Sequence, residues 1–171
     1  MGITIRKVLL EDAYEYAALH IACWEDAYRG IIPDEYLDSM RSDIEQRAER
    51  CKQNISEPGD IEFYYITHGD EMVGRLVFSG SRDDDKPDAG EVCAIYLLAD
   101  HWGKSYGKQM MDFAAAALRS KGYKEIIVWV LEENSRARCF YEKYGFLYDG
   151  ARKEIEIGKT LVEIRYALSL V

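Results

Sequence analysis

Two segments of the 171-residue chain carry residues whose types and spacing could do chemistry. In EVCAIYLLADHWGKSYGKQMM, residues 91–111, Gly103 and Gly107 lie where an apolar run gives way to a helical pattern. At such a strand-to-helix turn the N–H groups of Gly103 to Lys108 have no helical acceptor and converge on one point at the positive helix end. A pyrophosphate suits that arrangement, and glycine permits its close approach. Glycines before a helix are equally compatible with a plain tight turn. The segment is no P-loop, because the G-x-x-x-x-G-K-[ST] spacing is missing, and it has no G-x-G-x-x-G. The second segment is ENSRARCFYEKYGF, residues 133–146, a helix that Asn134 can cap and Gly145 can close.

The elements that must position these segments follow from periodicity. Ile3, Ile5 and Val8 suggest a first strand, and Ala13, Ala17, Ile21, Trp24 and Tyr28 recur at helical spacing. Pro33 opens a short helix toward Met40, a polar helix covers residues 43–54, and the breakers Glu57 to Asp60 end this part. Two strands flank the turn His68-Gly69-Asp70-Glu71 as a hairpin, and the acidic connection GSRDDDKPDAG leads into a long strand over 91–98. A helix over 105–120 has an apolar stripe. The run Ile126 to Leu131 reads as a central strand buried on both faces. After the helix over 135–144, two last strands turn around Gly158-Lys159. The order β, three helices, β-β-β, α, β, α, β-β makes one α+β domain, residues 1–171, with a mixed sheet and helices on both faces.

In this setting Trp102-Gly103-Lys104-Ser105-Tyr106-Gly107 resembles the cofactor signature [QR]-x-x-G-x-[GA] of the GNAT superfamily of N-acetyltransferases, with Trp102 in place of Gln or Arg and Ser105 in place of Gly. The second segment resembles that family's N-x-x-A-x-x-F-Y-x-x-x-G-F, with Asn134, Ala137, Phe140, Tyr141, Gly145 and Phe146 in register. The likeness spans nearly the whole chain and is specific over residues 91–146. It implies a twisted, mostly antiparallel sheet of about seven strands with a V-shaped splay between strands 4 and 5.

Acetyl-CoA would then enter that splay as cosubstrate. The resemblance implies main-chain pairing of Leu97 and Ala99, beside Leu98, with the pantetheine arm, and amides of Gly103, Lys104, Ser105, Tyr106, Gly107 and Lys108 on the pyrophosphate. It assigns Tyr141 as general acid and Asn134, with Ala137 and Phe140, to the cofactor wall. Glu91 matches the position of the general base in some members; a water chain or another carboxylate is the alternative. Lys104, Lys108, Arg136 and Arg138 form the local basic set for the CoA phosphates. Trp24, Tyr28 and Arg29 fall in the helix-loop-helix that lines the acceptor site, with core packing the competing role for the first two. An amine must lose a proton before attacking the thioester, and the departing thiolate gains one, which is the chemistry an acid and a base would share.

Composition limits the partners. Lys and Arg total 22 against 31 Asp and Glu, a formal charge of −9, which repels a nucleic-acid backbone overall. No run of 18 apolar residues occurs, so no membrane span is expected. Four cysteines without a C-x-x-C pair and no signal-peptide pattern suggest a cytoplasmic protein with reduced thiols. Cys93 and Cys139 sit in apolar patterns and read as buried packing rather than acyl carriers. His20, His68 and His101 are dispersed, so no metal is expected. Asp83, Asp84 and Asp85 read as a solvated loop that would also attract a cationic amine. The expected acceptor is a primary amine of a small molecule or peptide, and a homodimer is possible through the C-terminal strands. The altered Trp102 and Ser105 leave a rival, a CoA-binding sensor or partner-binding domain with little catalysis.

Overall fold

The computed structural model describes residues 2–57 and 59–171, so Pro58 of the breaker group lies outside the described residues. The strands are β1 (Ile3–Lys7), β2 (Glu62–His68), β3 (Glu71–Gly80), β4 (Gly90–Leu97), β5 (Glu125–Leu131), β6 (Leu147–Glu156) and β7 (Thr160–Ser169). The helices are α1 (Ala13–Tyr28), α2 (Asp34–Ser39), α3 (Ile44–Ser56), α4 (Tyr106–Ser120) and α5 (Ser135–Tyr144), with short 3-10 turns at Leu10–Asp12 and Ala99–His101. This is the order that periodicity predicts. Pro33 precedes α2, and Gly145, at φ 116°, closes α5 by donating its N–H to the carbonyls of Tyr141 and Glu142.

The sheet runs β1-β2-β3-β4-β5-β7-β6, antiparallel throughout except for the parallel pair β4–β5. The α4 stripe lays Met110, Met111, Ala114 and Leu118 on one face, where they join Phe78, Ile126, Val128, Tyr141 and Phe146 in the main core. On the other face Ile21 and Tyr28 of α1, Leu37 of α2 and Met40 just after it form a second cluster with Leu131 and Leu161. β5 is therefore covered on both sides, as its apolar run requires. Each Ile or Val it buries contributes about 1.5–3 kcal/mol. Arg75 of β3 ties α1 down, lying 4.9 Å from the Tyr16 ring centroid and donating to the Tyr16 hydroxyl at 3.3 Å.

The acidic connection between β3 and β4 is not the solvated loop that its composition suggests. Arg165 of β7, whose side chain is 5% exposed, bonds Asp83 at 2.8 Å, Asp85 at 2.6 Å and Asp149 at 2.7 Å. Trp129 Nε1 also donates to Asp83, at 2.8 Å, and Lys86 pairs with Glu125 at 2.7 Å. The loop is thereby fastened over β5 and β7, and two of its three central carboxylates are ion-paired, sharing one guanidinium with Asp149. Asp84 and Asp88 are exposed and outside the clamp, and Asp85 is clamped but still exposed. Arg165→Ala removes one cation from three carboxylates and should lower unfolding stability by about 3 kcal/mol, read from urea denaturation. Arg165→Lys keeps the charge but not the planar fork and should fall between Ala and the wild type.

Candidate active site

β4 and β5 are paired only at Gly90 with Ile126 and Glu91 with Ile127. Beyond that point each strand follows its other neighbour, β4 staying on β3 up to Leu97 and β5 on β7 up to Leu131. The strands diverge, and a cleft of about 560 Å³ opens between them. That volume is in the range of small-molecule sites. Its walls are β4 from Val92 to Leu97, β5 from Val128 to Val130, the start of α4, and Asn134, Arg136, Ala137, Phe140 and Tyr141 around α5.

At the mouth of the cleft, the N–H groups of Gly103 to Lys108 donate to no carbonyl or side chain among the described residues; the first α4 amide to find an acceptor is Gln109, on the Ser105 carbonyl. Gly103 at φ 72° and Ser105 at φ 63° take left-handed conformations, and such alternation turns successive amides toward one point. A Cβ on Gly107 would meet the Phe140 ring at 3.3 Å. Ser105 is the one non-glycine residue with positive φ among the described residues, and its side chain makes no cap bond. The two residues that depart from the signature thus leave the amide cradle formed. Trp102 has taken on a different task. Its Nε1 donates to the Leu97 carbonyl at 2.8 Å, and the Arg136 guanidinium stacks 3.0 Å from its ring centroid.

The main-chain groups assigned to the pantetheine arm already have partners within the chain. Trp102 takes one lone pair of the Leu97 carbonyl, and Asp26 of α1 accepts from the Ala99 N–H at 2.7 Å. The carbonyl keeps a second lone pair, but the amide is free only when Asp26 lets go.

Tyr141 is buried, lines the cleft and makes no side-chain hydrogen bond among the described residues. Burial raises its pKa above that of a free phenol, so the hydroxyl remains protonated at any physiological pH. Asn134 does two jobs: its Oδ1 accepts from Ala137 N at 3.1 Å, capping α5, and the residue lines the cleft. Cys93 also lines it, but burial pushes its thiol pKa up, which disfavours a thiolate nucleophile. Cys139, expected to be buried, is exposed on α5.

A second pocket of about 170 Å³ lies beside the first, walled by Trp24, Tyr28, Ile32, Tyr96, Trp129, Leu131 and Ile157, with Arg82, Glu91, Lys153 and Glu163 as its charged members. The two cavities share Tyr28, Val92, Cys93, Tyr96 and Trp129. Tyr28 and Tyr96 join hydroxyls at 2.7 Å on this common wall, and burial raises both pKa values. Glu91 is 2% exposed and fully engaged by Arg82: Nη2 donates to Oε1 at 2.5 Å, while Nε and the backbone N donate to Oε2, each at 3.2 Å.

The structure gathers most of the residues marked from sequence, and separates some. Leu97, Trp102, Gly103, Ser105, Gly107 and Lys108 line the first cavity with the α5 set, and Trp24, Tyr28 and Glu91 line the second. Leu98, Ala99, Lys104 and Tyr106 line neither; Tyr106 instead packs on His68 and His101, whose rings are 5.4 Å apart. Two of the three dispersed histidines therefore meet, yet no group of three or more His, Cys, Asp or Glu could hold a metal among the described residues. Arg29 points away to Asp34 and Asp38, and Arg138 is held by the Tyr166 hydroxyl and the Glu132 carbonyl. Sequence reasoning missed Tyr96, Trp129, Lys153 and Glu163, which come together only through strand register.

A mixed sheet that opens between two parallel strands beside an amide cradle, with a second pocket across a shared wall, is the architecture of a two-substrate transferase. The chain belongs to the acetyltransferase (GNAT) family, whose model matches residues 14–146. It is 26% identical over 144 residues to the uncharacterized N-acetyltransferase YuaI of Bacillus subtilis (strain 168), covering 83% of this chain and 79% of that protein. It is 23% identical over 148 residues to a spermidine N(1)-acetyltransferase of Thermoplasma acidophilum, covering 85% and 89%. The fold is shared with the PaiA N-acetyltransferase of Thermoplasma acidophilum crystallised with coenzyme A, at TM-score 0.74 and 23% identity over 99% of both chains. Acetyl-CoA is the cosubstrate of this family, which makes the chain an acetyl-CoA-dependent acyltransferase. The chemistry of the residues fits that group: unpaired amides at the start of α4 would suit its phosphates, and an opened sheet edge would suit its arm, while Lys108 is paired with Asp112 at 2.8 Å.

Ser105→Gly removes a Cβ from a left-handed residue and should raise stability by about 0.5–1 kcal/mol, read as an upward shift in Tm. Asp26→Ala frees the Ala99 amide and should tighten acetyl-CoA binding about fivefold by calorimetry, the scale of one hydrogen bond.

Proposed function

We propose that this chain is an N-acetyltransferase that moves the acetyl group of acetyl-CoA directly to a primary amine of a small molecule or peptide. The observation that carries this reading is the shared wall: the cosubstrate cleft and the second pocket meet at Tyr28, Val92, Cys93, Tyr96 and Trp129. A thioester in one cavity and an amine in the other would meet there without a carrier residue, and the raised Cys93 thiol pKa also argues against one. Holding both reactants in contact removes most of the entropic cost of the encounter.

In this reading the amides of Gly103 to Lys108 hold the pyrophosphate, with Lys108 and Arg136 beside it. The amine nitrogen attacks the thioester carbonyl carbon, the C–N bond forms, and the C–S bond breaks as the tetrahedral adduct collapses. Tyr141 gives its proton to the departing sulfur, a role supported by its place in the cleft and its retained proton. The amine's own proton goes to a base. Glu91 is the candidate in the acceptor pocket, on the condition that one oxygen is released by Arg82 when the acceptor enters. Arg82 can move, since its side chain is 65% exposed while Glu91 is enclosed.

Tyr141→Phe should lower kcat about 100-fold with little change in the Kd of acetyl-CoA, followed by thiol release and calorimetry. Unchanged turnover in that variant would remove the acid from this mechanism. Glu91→Gln should lower kcat/KM about 100-fold, followed by thiol release; a variant that only melts earlier, with turnover unchanged, would make Glu91 an anchor for Arg82 and pass the base role to water.

A further inference from the structure

The acceptor pocket holds a primary ammonium that belongs to the chain itself. Lys153 of β6 sits opposite Glu163 of β7 in the sheet register, and Glu163 is in turn opposite Leu131 of β5. This row puts the Lys153 Nζ 4.0 Å from the Trp129 ring centroid and 3.5 Å from the Glu163 carboxylate. An aromatic face and a carboxylate converging on one point make a seat for a cation. The two ion pairs of the pocket differ in how they are held. Glu91 is 2% exposed and takes three bonds from Arg82, down to 2.5 Å. The Lys153–Glu163 pair is long, Lys153 is 45% exposed, and Glu163 is half as exposed at 23%. Long, exposed pairs contribute little, so this lysine can swing into water at small cost and leave its seat behind.

We propose that Lys153 is a built-in stand-in for the acceptor, and that the pocket selects a slender, unbranched alkylammonium that displaces it from Trp129 and Glu163. The inference rests on the acceptor pocket of the transferase reading and deepens it. With both pairs formed the charged members balance, Arg82 and Lys153 against Glu91 and Glu163. Withdrawing Lys153 leaves one negative charge, which one incoming ammonium restores. Trp24, Ile32, Leu131 and Ile157 add apolar wall beside the paired Tyr28 and Tyr96 hydroxyls, and the pocket of about 170 Å³ has room for a short alkyl chain. An acceptor with a carboxylate next to its amine would set that group against Glu163. Lys153 would thus set specificity, since an acceptor has to bind better than a tethered competitor of its own kind.

The test is a calorimetric titration of the full chain with n-butylamine, with n-butanol as the uncharged control, for the wild type, Lys153→Gln and Glu163→Gln. Lys153 is exposed, so its replacement leaves the core intact. The variant lacking this lysine should bind n-butylamine about fivefold tighter, the measure of one exposed ion pair and cation–π contact. Glu163→Gln should bind it at least fivefold more weakly, and n-butanol should not compete. Equal affinity of the wild type and Lys153→Gln, or butanol binding as well as butylamine, would overturn the proposal. A parallel titration with acetyl-CoA separates the two readings. If acetyl-CoA binds while the Lys153 change leaves butylamine affinity unmoved, the stand-in falls and the transferase stands. If butylamine behaves as expected and acetyl-CoA does not bind, the cation seat stands and the transferase falls.

Discussion

The parallel pairing of β4 and β5 stops after two residue pairs, and the rest of the molecule is arranged around that interruption. Buried backbone N–H and C=O groups need partners, so a sheet that opens in its middle must be completed by something. Here both flanks are fixed by longer ladders, β4 to β3 and β5 to β7, so the two strands cannot close on each other. α4 starts at the broad end of the opening, α5 roofs it, and each places its N-terminal part toward the gap. A ligand that fills it must offer groups for strand edges at one end and negative charge for free amides at the other. That demand explains why the elements are where they are better than any single catalytic side chain does.

Charge pairing carries the same opening through to the second pocket. Arg165 gathers Asp83, Asp85 and Asp149, which fixes the loop after β3, and that loop carries Arg82. Arg82 then covers Glu91 at the very point where β4 and β5 last pair. Two ionic clusters, joined through the adjacent residues Arg82 and Asp83, therefore reach from β7 to the apex of the splay. They make the pocket's charge a property of the fold rather than of one residue, and they give a structural role to acidity that composition alone would assign to substrate attraction.

The sequence made the element order legible because each element has a period of its own: a β-branched run at Ile126 to Leu131, a helical stripe from Met110 to Leu118, Pro33 and Gly145 as boundaries. The first cleft was legible for the same local reason, since its amide cradle and the α5 wall each lie in one continuous segment. The second pocket was legible only in part, through Trp24, Tyr28 and Glu91. Tyr96, Trp129, Lys153 and Glu163 come from four different strands, and no local pattern marks any of them as neighbours. Only register decides it, as in Lys153 facing Glu163 and Trp129 facing Arg165. Arg29 fails in the opposite sense: it is close in sequence to the site, but nearer carboxylates at Asp34 and Asp38 claim it.

Trp102 and Ser105 bear on the kind of recognition proposed for this site. If side chains at those positions bound the cosubstrate, a Trp and a left-handed Ser would be damaging. The cradle is instead made of main-chain amides, and a backbone conformation can be reached by more than one sequence at a cost of about 1–2 kcal/mol for a non-glycine residue. Ser105 adopts the required φ of 63°, so the amides still converge. Trp102 goes further and becomes structural, its indole on the Leu97 carbonyl and its face under Arg136, which keeps a cation at the cleft. Main-chain recognition thus frees the side chains around it to vary, and the variation that results is spent on stiffening the mouth of the cleft rather than on closing it.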